Sequence, residues 1–159
     1  MSKRVVEVQI RAIVAAEGGF AVFLGNQEKT FVIFVDQTVG AAIQMSLRGV
    51  RKERPLTHDL LADILRELGT KIERAVISDL KSGTCYARLV LTVENELKQK
   101  KIMEIDARPS DSIAVAIAQQ APIYVSLNVW EELEDMTEAL RKLEAEGLPR
   151  PTDGGEGVS

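Results

Sequence analysis

Residues 6–35 read VEVQIRAIVAAEGGFAVFLGNQEKTFVIFV and decide the fold class. From residue 6 to residue 14 every even position is apolar, and positions 7, 9 and 11 between them are polar, which is the period-two pattern of a half-buried β-strand. Gly18-Gly19 marks a turn before a second apolar stretch at 20–24. A third stretch at 30–35 is apolar without a break, which is typical of a strand covered on both faces. Three strands joined by short turns predict an antiparallel meander.

The rest of the chain changes period and predicts further elements. Val39, Ile43 and Leu47 recur at helical spacing, and Thr57 is a plausible N-cap for a second amphipathic helix. The predicted elements after residue 36 are a helix over 39–49, a helix over 57–68, a strand pair over 71–80 and 84–93, a strand over 101–107, a helix over 109–119 and a strand over 122–125.

Together these elements predict a single α+β domain over residues 1–129, with a mostly antiparallel sheet and helices packed against it. Residues 130–147 combine a thin apolar stripe with many acids and predict an acidic C-terminal helix. Residues 148–159 contain two prolines and three glycines, which predicts a disordered tail.

Composition excludes several classes of protein. The chain has 159 residues, of which 45% are hydrophobic and 28% charged, so it is neither disordered nor collagen-like. No apolar run approaches the ~20 residues of a membrane helix. Cys85 is the single cysteine and His58 the single histidine, which excludes an internal disulfide and a zinc site with several histidines. The N-terminus lacks the pattern of a signal peptide, so we expect a cytoplasmic protein.

The charge is distributed unevenly along the chain. The net charge is −4, but residues 130–159 hold nine acids and three bases, whereas residues 1–129 hold 15 acids and 17 bases. A polyanionic partner therefore stays possible, although the body is far less basic than a tight nucleic-acid binder. The candidates for steering phosphate, which equally suit a solubilising loop, are Arg48, Arg51, Lys52 and Arg54.

The most informative stretch for chemistry is EIDARPSD at residues 104–111. On a strand, Glu104, Asp106 and Arg108 point to one face, where two carboxylates suit a magnesium ion and the guanidinium suits a phosphate. Asp111 lies in the first turn of the following helix. The structural alternative is that Asp111 complements the helix dipole and that Asp106 and Arg108 form an ordinary ion pair.

His58 and Asp59 open the second predicted helix. His58 has the chemistry of a general base near neutral pH, although a lone histidine here more often serves as a hydrogen-bonding residue at a helix start. Asp59 and Asp63 share a face opposite the apolar stripe. Such a pair is usually solvated, but at a cleft or an assembly interface it suits a metal ion.

Several of these motifs resemble the bifunctional nuclease family. The matching segments are Pro55–Leu61 (PLTHDLL), Val76–Asp79, Tyr86–Leu89, Asp106–Ala114 (DARPSDSIA) and Ala121–Val125 (APIYV). The two long motifs together are specific, and all the segments come in the family's order. The resemblance implies an α+β oligomeric domain with nuclease activity on both DNA and RNA.

The chain departs from the family pattern at three positions within residues 5–130, the span of the resemblance. Val39 stands where the family has a glutamate, with Asp36 as a new acid nearby. Gln120 replaces a glycine, and Cys85 replaces an aromatic residue. The absent glutamate removes one candidate ligand or base.

Two hypotheses follow for function. The first is a metal-dependent nuclease with little sequence preference, acting through His58, Asp106, Arg108 and Asp111. The magnesium or manganese ion would be held by Asp106 and Asp111, with Asp59 or Glu104. The second is a non-catalytic, oligomeric interaction module in which the same polar motifs are structural.

Overall fold

The computed structural model describes residues 4–50 and 52–147. The strands are β1 (Val5–Ala16), β2 (Gly19–Gly25), β3 (Thr30–Asp36), β4 (Thr70–Lys81), β5 (Thr84–Glu94), β6 (Lys100–Ala107) and β7 (Ile123–Ser126). The helices are α1 (Gln37–Leu47), α2 (Thr57–Glu67), α3 (Pro109–Ala118), α4 (Leu127–Glu132) and α5 (Thr137–Ala145). Every element predicted before residue 126 has a counterpart whose ends lie within two residues of the prediction.

All seven strands form one mixed sheet in the order β3-β2-β1-β7-β4-β5-β6. Neighbouring strands are antiparallel except for β7 and β4, which run parallel. The α+β class, the meander and the β4–β5 hairpin are thus confirmed. No pattern in the sequence predicted that the short strand β7 lies at the centre of the sheet, where it joins the meander to the hairpin.

The alternation of side chains along β2 shows how the two faces of the sheet are covered. Val22 and Leu24 enter the main core together with residues of α1 and α3, whereas Ala21 and Phe23 face the other side. There Leu140 of α5 packs against them. The meander is therefore covered on both faces, which explains its apolar character.

The acidic C-terminal segment differs from the prediction of one helix over 130–147. Leu133 has extended backbone angles and separates α4 from α5. The carboxylate of Asp135 accepts hydrogen bonds from the backbone N–H groups of Thr30 and Thr137, and the N–H of Met136 donates to the carbonyl of Thr30. These bonds to β3 and to the start of α5 replace a continuous helix. The predicted disordered tail, 148–159, lies outside the described residues.

Helix α2 differs from expectation at its start and on its apolar face. Thr57 is the first helical residue and not the N-cap; the N-cap is Leu56, whose N–H donates to the carboxylate of Asp59 at 2.9 Å. The predicted apolar face exists, but it is only partly covered, with Leu60 52% exposed and Leu68 71% exposed. Such a surface is typical of a binding or assembly face.

The backbone conformation of Gln120 predicts that a glycine at this position stabilises the protein. The backbone of α3 ends in a Schellman motif, in which the N–H of Ala121 donates to the carbonyl of Ala116 and the N–H of Gln120 to that of Ile117. Gln120 occupies the left-handed position of this motif, with φ of 56°. Because a side chain there costs roughly 1 kcal/mol relative to glycine, we expect Gln120→Gly to raise the free energy of unfolding by about that amount in urea titrations.

The neighbouring residue provides the control for this prediction. Gln119 has φ of −101°, where glycine has no advantage, so Gln119→Gly should not stabilise the protein. Equal effects of the two substitutions would contradict the assignment of strain to Gln120.

Candidate active site

Three of the predicted site residues meet where α2 lies beside α3. His58, in the first turn of α2, has its Nε2 atom 3.3 Å from Oδ1 of Asp111. Arg108 donates to the same carboxylate from Nε, at 2.8 Å to Oδ2, and from Nη2, at 3.1 Å to Oδ1. The Asp111 carboxylate therefore bridges a buried imidazole, 9% exposed, and a guanidinium group near the surface.

The sequence Arg108-Pro109 creates this corner. A residue before proline is held in the extended region, and Arg108 has φ −66° and ψ 146° as the N-cap of α3. Pro109 then starts the helix, since its missing N–H is not needed in the first turn. Asp111 follows Arg108 by three residues, the spacing that brings two side chains together on one face of a helix.

The electrostatics of the cluster keep Asp111 ionised. The hydrogen bond from Arg108 lowers the pKa of Asp111, outweighing its partial burial, and the hydrogen bond from His58 acts in the same direction. The pKa of Arg108 is raised by the same hydrogen bond, by the charge of Asp111 and also by the charge of Asp36. Asp36 therefore lies within electrostatic range of the cluster. Its own carboxylate accepts a hydrogen bond from the N–H of Val39 at 2.9 Å.

Asp106 and Glu104 point away from this cluster. In the ladder between β5 and β6, Asp106 stands opposite Arg88 and Ile105 stands opposite Leu89. Side chains alternate along a strand, and Ile105 faces the side of the sheet on which Asp111 lies. Asp106 and Glu104 therefore share the opposite face, and their predicted meeting with Asp111 is not seen.

Asp59, the remaining predicted metal ligand, is bound by other groups. Its two carboxylate oxygens lie 3.1 and 2.9 Å from Nζ of Lys52. Across residues 4–50 and 52–147, no group of three or more His, Cys, Asp or Glu side chains stands close enough to hold a metal ion. The structure thus does not assemble Asp106, Asp111, Asp59 and Glu104 into one site.

The ion pair between Lys52 and Asp59 predicts a pH-dependent stability. Burial raises the pKa of Asp59, but the hydrogen bonds from Lys52 and Leu56 and the charges of Lys52 and His58 lower it further, so the net shift is downward. The unfolded pKa is about 3.9, so this stabilisation is complete above that value and is lost as the pH falls through the lower folded pKa. In urea titrations, we expect the advantage of the wild type over Asp59→Asn to shrink below about pH 4. A constant difference down to strongly acidic pH would contradict this assignment.

The predicted basic patch is only partly available to a phosphate. Lys52 is bound to Asp59, whereas Arg48 and Arg54 are exposed. Arg51 lies outside the described residues. Binding of nucleic acid through these residues stays a prediction.

The sequence did not predict the apolar groove that lies beside Asp111. This α2–β6 groove lies between α2, α3 and strands β5 and β6, and has a volume of about 270 Å³. Ser112 lines it, and its hydroxyl group is the single buried side-chain N or O atom without a hydrogen-bond partner in the described part of the chain. The signal in the sequence was a serine directly before an otherwise apolar helical run.

Cys85 is a poor candidate for a nucleophile. Burial raises the pKa of its thiol, which disfavours the thiolate that a nucleophile requires. Among the described residues, the helices are too short or too polar for any of them to cross a lipid bilayer.

Comparison with known proteins places this chain in a family. A model of the bifunctional nuclease domain matches residues 22–138. An uncharacterized protein of Mycobacterium tuberculosis is 35% identical over 130 residues, which cover 76% of this chain and 74% of the relative. Bifunctional nuclease 1 of Oryza sativa subsp. indica and the bifunctional nuclease of Oryza minuta are each 26% identical over 98 residues, which cover 61% of this chain and 29% of the plant proteins. The matched region extends beyond residue 130 and includes α4 and the start of α5. The chain belongs to the bifunctional nuclease domain family.

Proposed function

We propose that this protein is a nuclease that cleaves phosphodiester bonds of DNA and RNA with little sequence preference. Membership of the bifunctional nuclease domain family supports this class of reaction. The observation that carries the proposal is the Asp111 carboxylate, which joins a histidine with the chemistry of a general base to an exposed arginine.

Arg108 is the proposed phosphate-binding residue. A guanidinium group has five N–H donors, and Asp111 occupies two of them, one on Nε and one on Nη2. The side chain is 64% exposed, so the remaining donors are available to a phosphate oxygen of a strand at the surface. Contacts to phosphate carry no sequence information, which agrees with a nuclease of low specificity.

His58 is the proposed general base. Because Nε2 faces an ionised carboxylate, the neutral ring carries its proton there and leaves the lone pair on Nδ1 to accept a proton from the attacking water. Asp111 holds this tautomer and stabilises the imidazolium that forms. Only 9% of His58 is exposed, so little of its surface is open to solvent.

The residues around Asp111 do not form a ready site for a divalent cation. Both carboxylate oxygens already accept hydrogen bonds from Arg108, and the other predicted ligands lie elsewhere. The roles proposed for His58 and Arg108 therefore involve no metal ion. A requirement for magnesium or manganese stays a prediction.

The test is an assay of the purified protein on single-stranded and double-stranded DNA and RNA. Parallel reactions contain magnesium, manganese or a chelator, so that one experiment examines both cleavage and the metal requirement. We expect cleavage of both DNA and RNA. Intact substrates under all three conditions, with the folded protein in excess, would contradict the proposal.

The alternative is a non-catalytic, oligomeric interaction module. The partly uncovered apolar face of α2 favours it, as does the ion pair of Arg108 and Asp111, which also serves to fix the corner between β6 and α3. On this hypothesis the wild type cleaves nothing, sedimentation shows a homo-oligomer, and Asp111→Asn lowers the melting temperature by several degrees. Cleavage by the wild type would exclude it.

A further inference from the structure

The sheet has two edge strands, β3 and β6, and the chain covers them differently. At the β3 edge, the carbonyl of Thr30 accepts a hydrogen bond from the N–H of Met136, and the N–H of Thr30 donates to the carboxylate of Asp135. Strand β6 pairs with β5, and no other described residue forms a hydrogen bond with the backbone of residues 100–107. A free edge presents a row of N–H and C=O groups to which another strand can pair.

Strand β6 is long, regular and partly apolar, and these properties favour pairing at a free edge. It has eight residues, contains neither proline nor glycine, and follows β5 without a bulge. Ile102 is 66% exposed and Ile105 is 48% exposed. Because side chains alternate along a strand, these two isoleucines lie on opposite faces of the sheet. A strand that pairs with β6 therefore covers apolar surface on both faces.

The charges of β6 are separated by sign along the strand. Lys100 and Lys101 lie at its start, whereas Glu104 and Asp106 lie in its second half. A parallel copy of the strand would bring like charges together, but an antiparallel copy brings the basic end of one strand to the acidic end of the other. Neither Lys100 nor Asp106 has an ion-pair partner within the described part of the chain. The edge is thus complementary in charge to a second copy of itself.

The directions of the side chains restrict the register of such a pair. Residues that stand opposite each other in an antiparallel ladder point to the same face of the sheet, so the symmetric registers are centred on a single residue. The two longest are centred on Met103 and on Glu104. The second sets two Glu104 carboxylates opposite each other, which is destabilising. The first sets Lys100 of each copy opposite Asp106 of the other.

From the free edge, its exposed isoleucines and its charge pattern, we infer that two copies of this chain pair through β6. The pair is an antiparallel, two-fold symmetric dimer in the register centred on Met103, with one continuous sheet across both copies. Backbone hydrogen bonds and the covered isoleucines provide the attraction. The two pairs of Lys100 with Asp106 select the orientation and the register. This inference names a partner and a surface, and it does not depend on the proposed nuclease function.

The test exchanges these charges in the full chain and measures dimer affinity by sedimentation equilibrium. We expect the wild type to dimerise. Lys100→Glu or Asp106→Lys alone should weaken the dimer at least about tenfold, because each substitution turns both attractive pairs into repulsive ones. An equal mixture of the two single variants should form a heterodimer, and the double variant should dimerise like the wild type, since opposite charges again face each other.

Glu104→Lys is the matched control. Glu104 is an exposed acid on the same face of β6 as Asp106, but the register centred on Met103 sets it opposite Ile102. The substitution should therefore weaken the dimer much less than Asp106→Lys does, and Lys100→Glu should not compensate for it.

Hydrogen exchange measures the pairing directly. In β6, the amide protons that point away from β5 should exchange more slowly as the protein concentration rises, because they become bonded in the dimer. The amide protons of β3, the other edge strand, should show no such dependence.

Each contrary result overturns the inference. A wild type that stays monomeric at the highest concentration of the experiment excludes the pairing. A dimer that is insensitive to Lys100→Glu and Asp106→Lys forms through another surface. Failure of the mixed variants to form a heterodimer, or equal losses in Glu104→Lys and Asp106→Lys, excludes the register. Exchange in β6 that does not depend on concentration excludes the strand as the interface.

Discussion

Asp111→Asn is expected to lower kcat/KM for cleavage of single-stranded DNA about 10²–10³-fold. The amide has the shape of the carboxylate but lacks its charge. It no longer attracts the guanidinium of Arg108, and it does not hold the proton of His58 on Nε2, which the proposed base requires. Steady-state kinetics with a fluorogenic oligonucleotide measure the effect. Because the proposed roles concern the transition state, most of the loss should appear in kcat.

The chain contains a closely matched control for this substitution. Asp63 and Arg66 form an ion pair at the same spacing of three residues, with the same 2.8 Å distance. Their side chains are 39% and 66% exposed, against 37% and 64% for Asp111 and Arg108. Asp63→Asn removes the same charge from the same kind of pair, away from His58. Equal losses of activity in the two variants, or normal activity of Asp111→Asn, would show that Asp111 has no special role.

The sequence predicted most of the secondary structure because its local signals agree with the fold. Val22 and Phe23 illustrate this. They are consecutive apolar residues in β2, and they pack in two cores on opposite faces of the sheet. The place of β7 depends instead on contacts between distant parts of the chain. Its pairing of Ile123 with both Val8 and Ala75 has no counterpart in any local pattern.

The candidate site was predicted in part, and the reason lies in the geometry of a strand. Arg108, Asp111 and His58, which are all predicted site residues, lie in contact, although the sequence did not predict their pairing. Asp106 does not join them, because its neighbours Ile105 and Ala107 face the groove beside Asp111 and side chains alternate along a strand. Whether it would share a face with Asp111 depended on the direction in which α3 leaves the sheet, which the sequence does not specify.

The sequence also did not predict which charged side chains form ion pairs. Asp59 was predicted as a ligand or a solvated acid, but Lys52 reaches it from the preceding loop and both side chains are largely buried. The unpartnered hydroxyl of Ser112 and the groove that it lines depend on how α2 packs beside the sheet, so no local pattern reveals them.

Trp130→Ala is expected to lower the free energy of unfolding by about 3–5 kcal/mol. Trp130 is only 7% exposed within the main core, and its ring meets that of Phe31 edge to face, with centroids 6.1 Å apart and an angle of 87°. The ammonium group of Lys29 also lies over the indole, 5.2 Å from its centroid. Removing the ring leaves a cavity and takes both contacts away. Urea denaturation followed by circular dichroism measures the change.

Phe34→Ala is the control, because Phe34 is an aromatic residue of β3 that is 73% exposed and should contribute little. A loss for Trp130→Ala no larger than that for Phe34→Ala would mean that the segment after residue 129 is an appendage, as the predicted domain boundary implied. The packing of Trp130 on Phe31 argues the opposite, since β3 and α4 then share one core. On that account a chain ending at residue 129 loses the cover of Phe31 and, with α5, that of Phe23, and it should unfold at a markedly lower urea concentration than the full chain.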